Sequence, residues 1–230
     1  MAPPLQPLKL YSHLGGPNPL KVAIILTELG VPFHQDIVDM SKLKQEPYIS
    51  ANPNGRVPAL DDPNTGVVTW ESGACIEYLL ENYDKEHKLQ YTSSPEKWDQ
   101  AAWKYFQVSG QGPYFGQAVW FKVYHPEQNL TSAIDRYNGE IKRVLGVIDA
   151  HLAKTGKLYL VGDKVSFVDF MFVPWNHIAP FCLGEGSEAE LEKSLPLMWA
   201  WRQRLEARES VKAAYAEIER LKAEQGAGSH

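Results

Sequence analysis

The spacing of apolar residues changes partway along the chain, from mixed periods to helical ones alone. Leu8-Lys9-Leu10-Tyr11-Ser12 alternates apolar and polar as a short strand does. His13-Leu14-Gly15-Gly16-Pro17-Asn18-Pro19 is rich in breakers and predicts a turn. Leu20 to Gly30 carries Leu20, Val22, Ala23, Ile24, Ile25, Leu26 and Leu29, enough for a mostly buried helix that begins near Pro19 and is capped by Gly30. Phe33 to Val38 predicts a second strand, and an irregular helical segment follows. Val57-Pro58 stands at the mouth of a third strand, Asp61 to Gly66 forms a hairpin turn, and Val67-Val68-Thr69 returns. The helix from Glu71 to Tyr83 buries Ala74, Cys75, Tyr78 and Leu79. Strand–helix–strand, helical segment, strand–strand–helix is the order of an α/β thioredoxin-like domain, placed at residues 7–84.

A charge run, Asp84 to Lys88, and the loop Thr92-Ser93-Ser94-Pro95 mark a boundary, after which only helical spacing remains. The second domain, residues 95–222, is therefore expected to be all-α. Glu96 to Tyr124 is long and aromatic, and Gly110, Gly112-Pro113 and Gly116 predict that it bends or breaks. Ala133, Ile134, Tyr137, Ile141, Val144, Leu145, Ile148 and Leu152 trace one helical face. Ser166-Phe167-Val168-Asp169 is a capping-box variant ahead of an apolar helix from Phe170 to Phe181, which makes Asp169 structural. Helices over Leu195–Glu206 and Val211–Glu219 complete the chain, and the patternless tail Glu224–His230 is expected to be disordered.

Two short segments carry the chemistry. In Asn52-Pro53-Asn54-Gly55-Arg56-Val57-Pro58-Ala59-Leu60 the proline cannot donate to a sheet, and X-Pro bonds tolerate cis. A cis bond there would turn the Val57 amide and carbonyl outward, ready to pair with an extended peptide. Glu71-Ser72-Gly73-Ala74 opens a helix, where free N–H groups and a positive partial charge accept a carboxylate. The Ser72 hydroxyl and Glu71 carboxylate add grips for an α-carboxylate and an α-amine. Together the segments describe a pocket for a small peptide with an amino-acid head group.

Composition excludes more than it assigns. A net charge of -5 argues against nucleic acid, which needs a basic surface. No apolar run approaches the ~18 residues of a membrane span, and no charged-then-apolar leader opens the chain, so a cytoplasmic protein off the membrane is expected. Cys75 and Cys182 both sit in apolar helical patterns, as core thiols do, and form no CxxC pair. The seven histidines show no HxxxH or HxH spacing, so no metal site is expected.

The Asn52–Leu60 and Glu71–Ala74 segments resemble the glutathione site of the cytosolic glutathione transferases, and the Gly162–Asp169 segment resembles that family's helical domain. Gly15-Gly16-Pro17-Asn18, Gly116-Gln117-Ala118, Ile134-Asp135-Arg136-Tyr137 and Val173-Pro174-Trp175-Asn176 are similar to one branch, the fungal nitrogen-catabolite-regulator-like and bacterial nu-class transferases. The resemblance implies the glutathione transferase fold, glutathione as cosubstrate, and a homodimer. It implies that glutathione meets Val57, Pro58, Glu71 and Ser72, that Lys42 or Lys44 pairs with the glycyl carboxylate, and that Arg136 reaches the partner subunit's ligand. Arg136 can equally form a helix-surface ion pair with Glu140. Asn18 matches the asparagine that lies beside the glutathione sulfur, where its amide stabilises the thiolate. Gly16 departs from members that carry Ser or Thr there, and Tyr11 lies too early to match the catalytic tyrosine of other classes.

The wall for a small hydrophobic electrophile would come from Gln111, Tyr114, Phe115, Trp120, Phe121 and Tyr124, about half of them facing the ligand and the rest in the core. The resemblance implies conjugation. It leaves open a glutathione-dependent cis/trans isomerase of a conjugated metabolite, a glutathione-disulfide oxidoreductase, and a non-catalytic regulator. The regulator relative carries a long Asn-rich N-terminal extension, whereas here the first strand starts by about Leu8, which weighs against that last reading.

Overall fold

The computed structural model describes residues 4–127 and 130–227. It divides into two compact units, one built from the chain up to Lys88 together with the chain from Ala207 onward, the other from Leu89 to Glu206.

The first unit is a four-stranded mixed sheet of order β2-β1-β3-β4. Strand β1 (Leu8–Ser12) runs parallel to β2 (Phe33–Ile37) and antiparallel to β3 (Ala59–Asp62), which pairs antiparallel with β4 (Val67–Trp70). A parallel neighbour requires a crossover, and helix α1 (Pro17–Leu29) supplies it. Eight consecutive α1 residues, Pro19 to Leu26, are buried. Gly30, at φ 65°, ends the helix with its N–H on the Leu26 and Thr27 carbonyls. The irregular segment resolves into a 3-10 turn at Met40–Lys42 and a short helix α2 (Tyr48–Ala51). Helix α3 (Ser72–Tyr83) packs against the sheet, and Asp62 ties its far end to the hairpin. The Tyr78 hydroxyl donates to Asp62 Oδ2 at 2.6 Å, Tyr83 donates to the same oxygen, and the Asn64 N–H and amide donate to Oδ1. Burial would raise this carboxyl, but those donors outweigh it and hold it below the ordinary carboxylate range.

Helix α10 (Glu209–Ala227) belongs to this unit and packs along α1. The Arg208 guanidinium forks onto Glu28 at 2.7 and 2.9 Å, and the Ser210 hydroxyl joins at 2.5 Å. Local periodicity indicates a helix here but not what it packs against. The expected patternless tail is helical as far as Ala227, and the remainder of it lies outside the described residues.

The second unit is helical. Helix α4 (Glu96–Phe106) passes into a π-helical turn at Gln107–Gln111, then α5 (Gly112–Val119) and a second π-helical turn at Trp120–Tyr124. The expected break is thus a change of winding inside one helical run, with Gly110 in the first wide turn. Helix α6 (Thr131–Thr155) buries Ile141, Val144, Leu145, Ile148 and Leu152, and α8 (Ser187–Ser194) and α9 (Pro196–Glu206) close the unit. Helix α7 (Phe167–Leu183) is its axis, with every residue from Phe167 to Asn176 buried. Asp169 is fully buried at its start. It accepts from the Leu160 N–H at 2.9 Å, the Ser166 N–H at 2.9 Å, the Ser166 hydroxyl at 3.1 Å and Trp201 Nε1 at 2.9 Å. Just before it Gly162 has φ 61°, and a Cβ there would collide with the Tyr91 ring and hydroxyl. That hydroxyl takes the Asp163 and Lys164 N–H groups at 2.9 and 3.1 Å. Among the described residues no helix is long and apolar enough to cross a membrane.

Candidate functional site

Three segments of the first unit meet at one end of its sheet. Ala59 pairs with Trp70 in the β3–β4 ladder, so the same register carried past the strand ends sets Pro58 by Glu71 and Val57 by Ser72. Tyr11 pairs with Ala59 across β1–β3, which likewise brings the chain after Ser12 beside Val57. The turn His13–Gly16, the Val57-Pro58 step and the Glu71–Ser72 step thus follow or precede strand ends that pair with one another at Tyr11, Ala59 and Trp70.

Asn52 builds the middle segment. It is buried, and its amide donates to the Arg56 carbonyl at 2.6 Å and the Pro58 carbonyl at 3.5 Å, while its Oδ1 accepts the Asn54 N–H at 2.9 Å. The Tyr48 hydroxyl also donates to the Arg56 carbonyl, at 2.5 Å. Gly55 sits at φ 62°, where a Cβ would lie 3.0 Å from Lys44 Cγ and 3.1 Å from the Leu43 carbonyl. Beneath the loop Leu43, Tyr48 and Ala59 form a small apolar cluster with Tyr11, Val38, Ala51 and Val57 against it. The carbonyls on either side of Val57 are thus held from within. The Val57-Pro58 bond is cis, as the sequence suggested, and no hydrogen bond among the described residues uses the Val57 N–H or carbonyl.

The third segment departs from ordinary geometry. Glu71 has φ 69° and ψ 123°, a region that costs a non-glycine residue about 1–3 kcal/mol. Its carboxylate is exposed and accepts from the Asn54 amide at 3.5 Å, tying this segment to the Asn52 loop. Ser72, the first residue of α3, is buried, and Lys21 Nζ donates to its hydroxyl at 3.4 Å. Lys21 is only 1% exposed, on the α1 face packed against α3. Burial pulls its ammonium down to about 7, partly opposed by Glu71, which favours the charged form. Among the described residues, the N-cap Glu71 makes no side-chain cap to α3. Its start therefore combines a buried lysine, a hydroxyl and first-turn N–H groups, an arrangement suited to a ligand carboxylate. Cys75, one turn along, is fully buried, and burial together with Glu71 pushes its thiol up to about 12, which leaves it unreactive. Cys182 is likewise buried and raised to about 11.

Asn18 occupies the first turn of α1 rather than the loop before it, because the helix begins at Pro17 and not near Pro19. Proline is well suited to that first helical position, where its missing N–H would go unpaired anyway. Lys42 and Lys44 are both exposed.

In the helical unit the candidate residues separate. Gln111 is fully buried in an amide chain, taking the Gln107 amide at 3.0 Å and donating to Asn176 Oδ1 at 2.7 Å. Phe115 is buried edge-on to Trp175. Tyr114 and Phe121 are half-buried against Tyr137, and Trp120 and Tyr124 are exposed with ring centres 6.0 Å apart. Arg136 is exposed, forms the expected ion pair with Glu140 at 2.5 Å, and lies 5.9 Å from the Tyr114 ring centre. No cluster of three or more potential metal ligands occurs among the described residues.

The sequence matches two family models that between them cover most of its length, the glutathione S-transferase N-terminal domain over residues 6–81 and C-terminal domain over 113–209. The chain belongs to the glutathione S-transferase family. Its relatives include the glutathione S-transferase-like protein OpS6 of Beauveria bassiana, 46% identical over 90% of this chain and 94% of that one. Among solved structures, the transferase URE2P6 of Phanerochaete chrysosporium, in complex with oxidized glutathione, is 44% identical with a TM-score of 0.86 over 93% of this chain and 96% of that one. Ure2p5 of the same fungus, cocrystallized with 1-(S-glutathionyl)-2,4-dinitrobenzene, is 38% identical with a TM-score of 0.85 over 96% of this chain and 98% of that one. The thioredoxin-like unit and the helical unit described above are the two domains of this transferase fold.

One residue of the site escaped the sequence reading. Lys21 is the lone charge between Leu20 and Val22 in a helix apolar on every side, and that placement was the available signal.

Proposed function

We propose that this glutathione S-transferase binds glutathione and activates its thiol for attack on a small hydrophobic electrophile. The peptide lies extended along Val57 and Pro58, pairing with the unoccupied N–H and carbonyl of Val57. Its γ-glutamyl carboxylate sits on the α3 start at Ser72, with Lys21 beneath as counter-charge, and its α-amine meets Glu71. The thiol falls beside Asn18, whose amide holds the thiolate. The thiol loses its proton, the sulfur forms a bond to the electrophilic carbon, and the leaving group departs with its electron pair. Lys44 is the proposed partner of the glycyl carboxylate. Tyr114, Trp120 and Tyr124 are the proposed aromatic contacts of the electrophile, whereas Gln111, buried in its amide chain, is withdrawn from that role.

The observation that carries the reading is the α3 start, a helix end to which the N-cap Glu71 makes no side-chain cap, with a buried lysine under its first hydroxyl, two register steps from a strand mouth with open backbone groups. The glutathione conjugate bound by Ure2p5 supports conjugation. The oxidized glutathione bound by URE2P6 favours a second reading, thiol–disulfide exchange on glutathione adducts. Purified protein tested with aryl halides, glutathione mixed disulfides and conjugated polyenes, each with and without glutathione, decides between them. Turnover of the aryl halide is expected. Turnover of the disulfide alone would establish the second reading, of the polyene alone an isomerase, and inertness toward all three a binding protein.

We further propose a homodimer in which Arg136 serves the partner's ligand, for which its exposure leaves it available. Sedimentation at micromolar concentration is then expected to show twice the chain mass.

A further inference from the structure

The start of α1 is poor in hydrogen-bond donors. A helix ordinarily offers the N–H groups of its first turn to an anion. Here the first three residues are Pro17, Asn18 and Pro19, so two of those three groups do not exist. The next N–H, of Leu20, turns back to the Gly16 carbonyl at 3.3 Å, and the Gly16 N–H goes to the His13 carbonyl at 3.3 Å. Gly16 at the N-cap adds no side chain. The backbone at this end is therefore a weak activator for a thiol.

An imidazole lies over it instead. A Cβ built on Gly16 would come within 3.0 Å of His13 Nε2 and 3.2 Å of His13 Cδ2, so the ring fills the space a side chain at 16 would use. His13 Nδ1 is 3.0 Å from the Leu14 carbonyl. A carbonyl only accepts, so Nδ1 carries the hydrogen and Nε2 keeps its lone pair. No hydrogen bond among the described residues engages Nε2. The β1–β3 ladder ends at Tyr11–Ala59, two residues before His13 and two after Val57, the residue proposed to pair with glutathione.

We propose that His13 is the base that takes the proton from the glutathione thiol. The inference rests on the glutathione reading above. The S–H bond breaks, its electron pair stays on sulfur, and the proton bonds to Nε2. The imidazolium still donates from Nδ1 to Leu14, and Asn18 stabilises the thiolate. After attack on an electrophile the ring returns its proton to solvent, or to the departing thiolate when the substrate is a disulfide. With no side chain at Gly16 to displace it, the ring stays over the α1 start.

The test compares parent, His13→Gln and His13→Ala at neutral pH. Calorimetry gives glutathione affinity, ultraviolet absorbance at saturating glutathione gives bound thiolate, and 1-chloro-2,4-dinitrobenzene gives turnover. Both variants are expected to keep glutathione affinity within about threefold, lose the thiolate band, and lose about 100-fold or more in kcat. Added imidazole should restore turnover to His13→Ala, where the ring's space is vacant, and not to His13→Gln. A parental thiolate band in both variants overturns the role of His13 while leaving the glutathione reading intact. A lost band with no rescue by imidazole makes His13 a packing residue and overturns its role as base. A parent that binds no glutathione overturns the glutathione reading, and this inference with it.

Discussion

Two helices in this protein begin with a concentration of polar groups, and they do so in opposite ways. At the start of α7 the chain supplies its own anion. Asp169 accepts four hydrogen bonds, one each from Leu160 and Trp201 and two from its own capping residue Ser166, in complete burial. Burial pushes this carboxyl up, and its four donors pull against that push. At the start of α3 the chain supplies the cation instead. Lys21 lies buried under Ser72, and the N-cap Glu71, at a positive φ with its carboxylate exposed, makes no side-chain cap to the helix among the described residues. The first arrangement is complete within the protein and specifies a fold. The second sets a buried lysine and a hydroxyl at a helix start whose own N-cap residue makes no side-chain cap, the arrangement proposed to receive a ligand carboxylate.

The comparison breaks most readily at α7. Asp169→Ala leaves the Leu160 and Ser166 N–H groups and the Trp201 indole without their buried acceptor, at about 1–3 kcal/mol each. A loss of about 3–5 kcal/mol in urea denaturation is expected, large for one residue. Parental stability would remove the distinction between a closed helix start and an open one.

Lys21 comes next in size. Its folded value of about 7 lies below the ordinary lysine value of 10.5, so between those limits the unfolded chain binds more protons than the folded one. This group's contribution to stability therefore rises with pH through that window and is lowest below about pH 7. Lys21→Met is expected to flatten the rise, a difference on the order of a few kcal/mol between the pH profiles of parent and variant. Denaturant midpoints at pH 6 and pH 9.5 provide the check. Parallel profiles would mean that the buried amine is not strained by its surroundings.

How far the sequence reveals all this follows the range of the interactions. Strands β1 to β4 and helices α1, α3 and α7 rest on short-range periodicity, caps and turns, and they are legible because those signals are local. The Asn52–Leu60 loop is legible for the same reason, since Asn52 bonds to Asn54, Arg56 and Pro58, all within six residues. What escaped depends on distant partners. Lys21 meets Ser72 from 51 positions away, and Arg208 meets Glu28 from 180, so neither the cation under α3 nor the docking of α10 leaves a local trace. Helix α8 is short and charged, with Ser187 and Leu191 buried, too few to declare a face. Gln111 has the composition of a binding residue, but the π-helical turn that carries it turns it inward onto Asn176.

The smallest effect bears most directly on the central claim, that the α3 start receives the γ-glutamyl carboxylate of glutathione. Ser72→Ala removes one hydroxyl and leaves the helix, the strand register and Lys21 in place. Losing one partner of a buried polar grip costs about 1–3 kcal/mol. Calorimetric titration of parent and variant with glutathione is expected to show a dissociation constant raised about ten-fold or more in Ser72→Ala. Equal affinity in the two proteins would contradict the claim and move the ligand's head group away from α3.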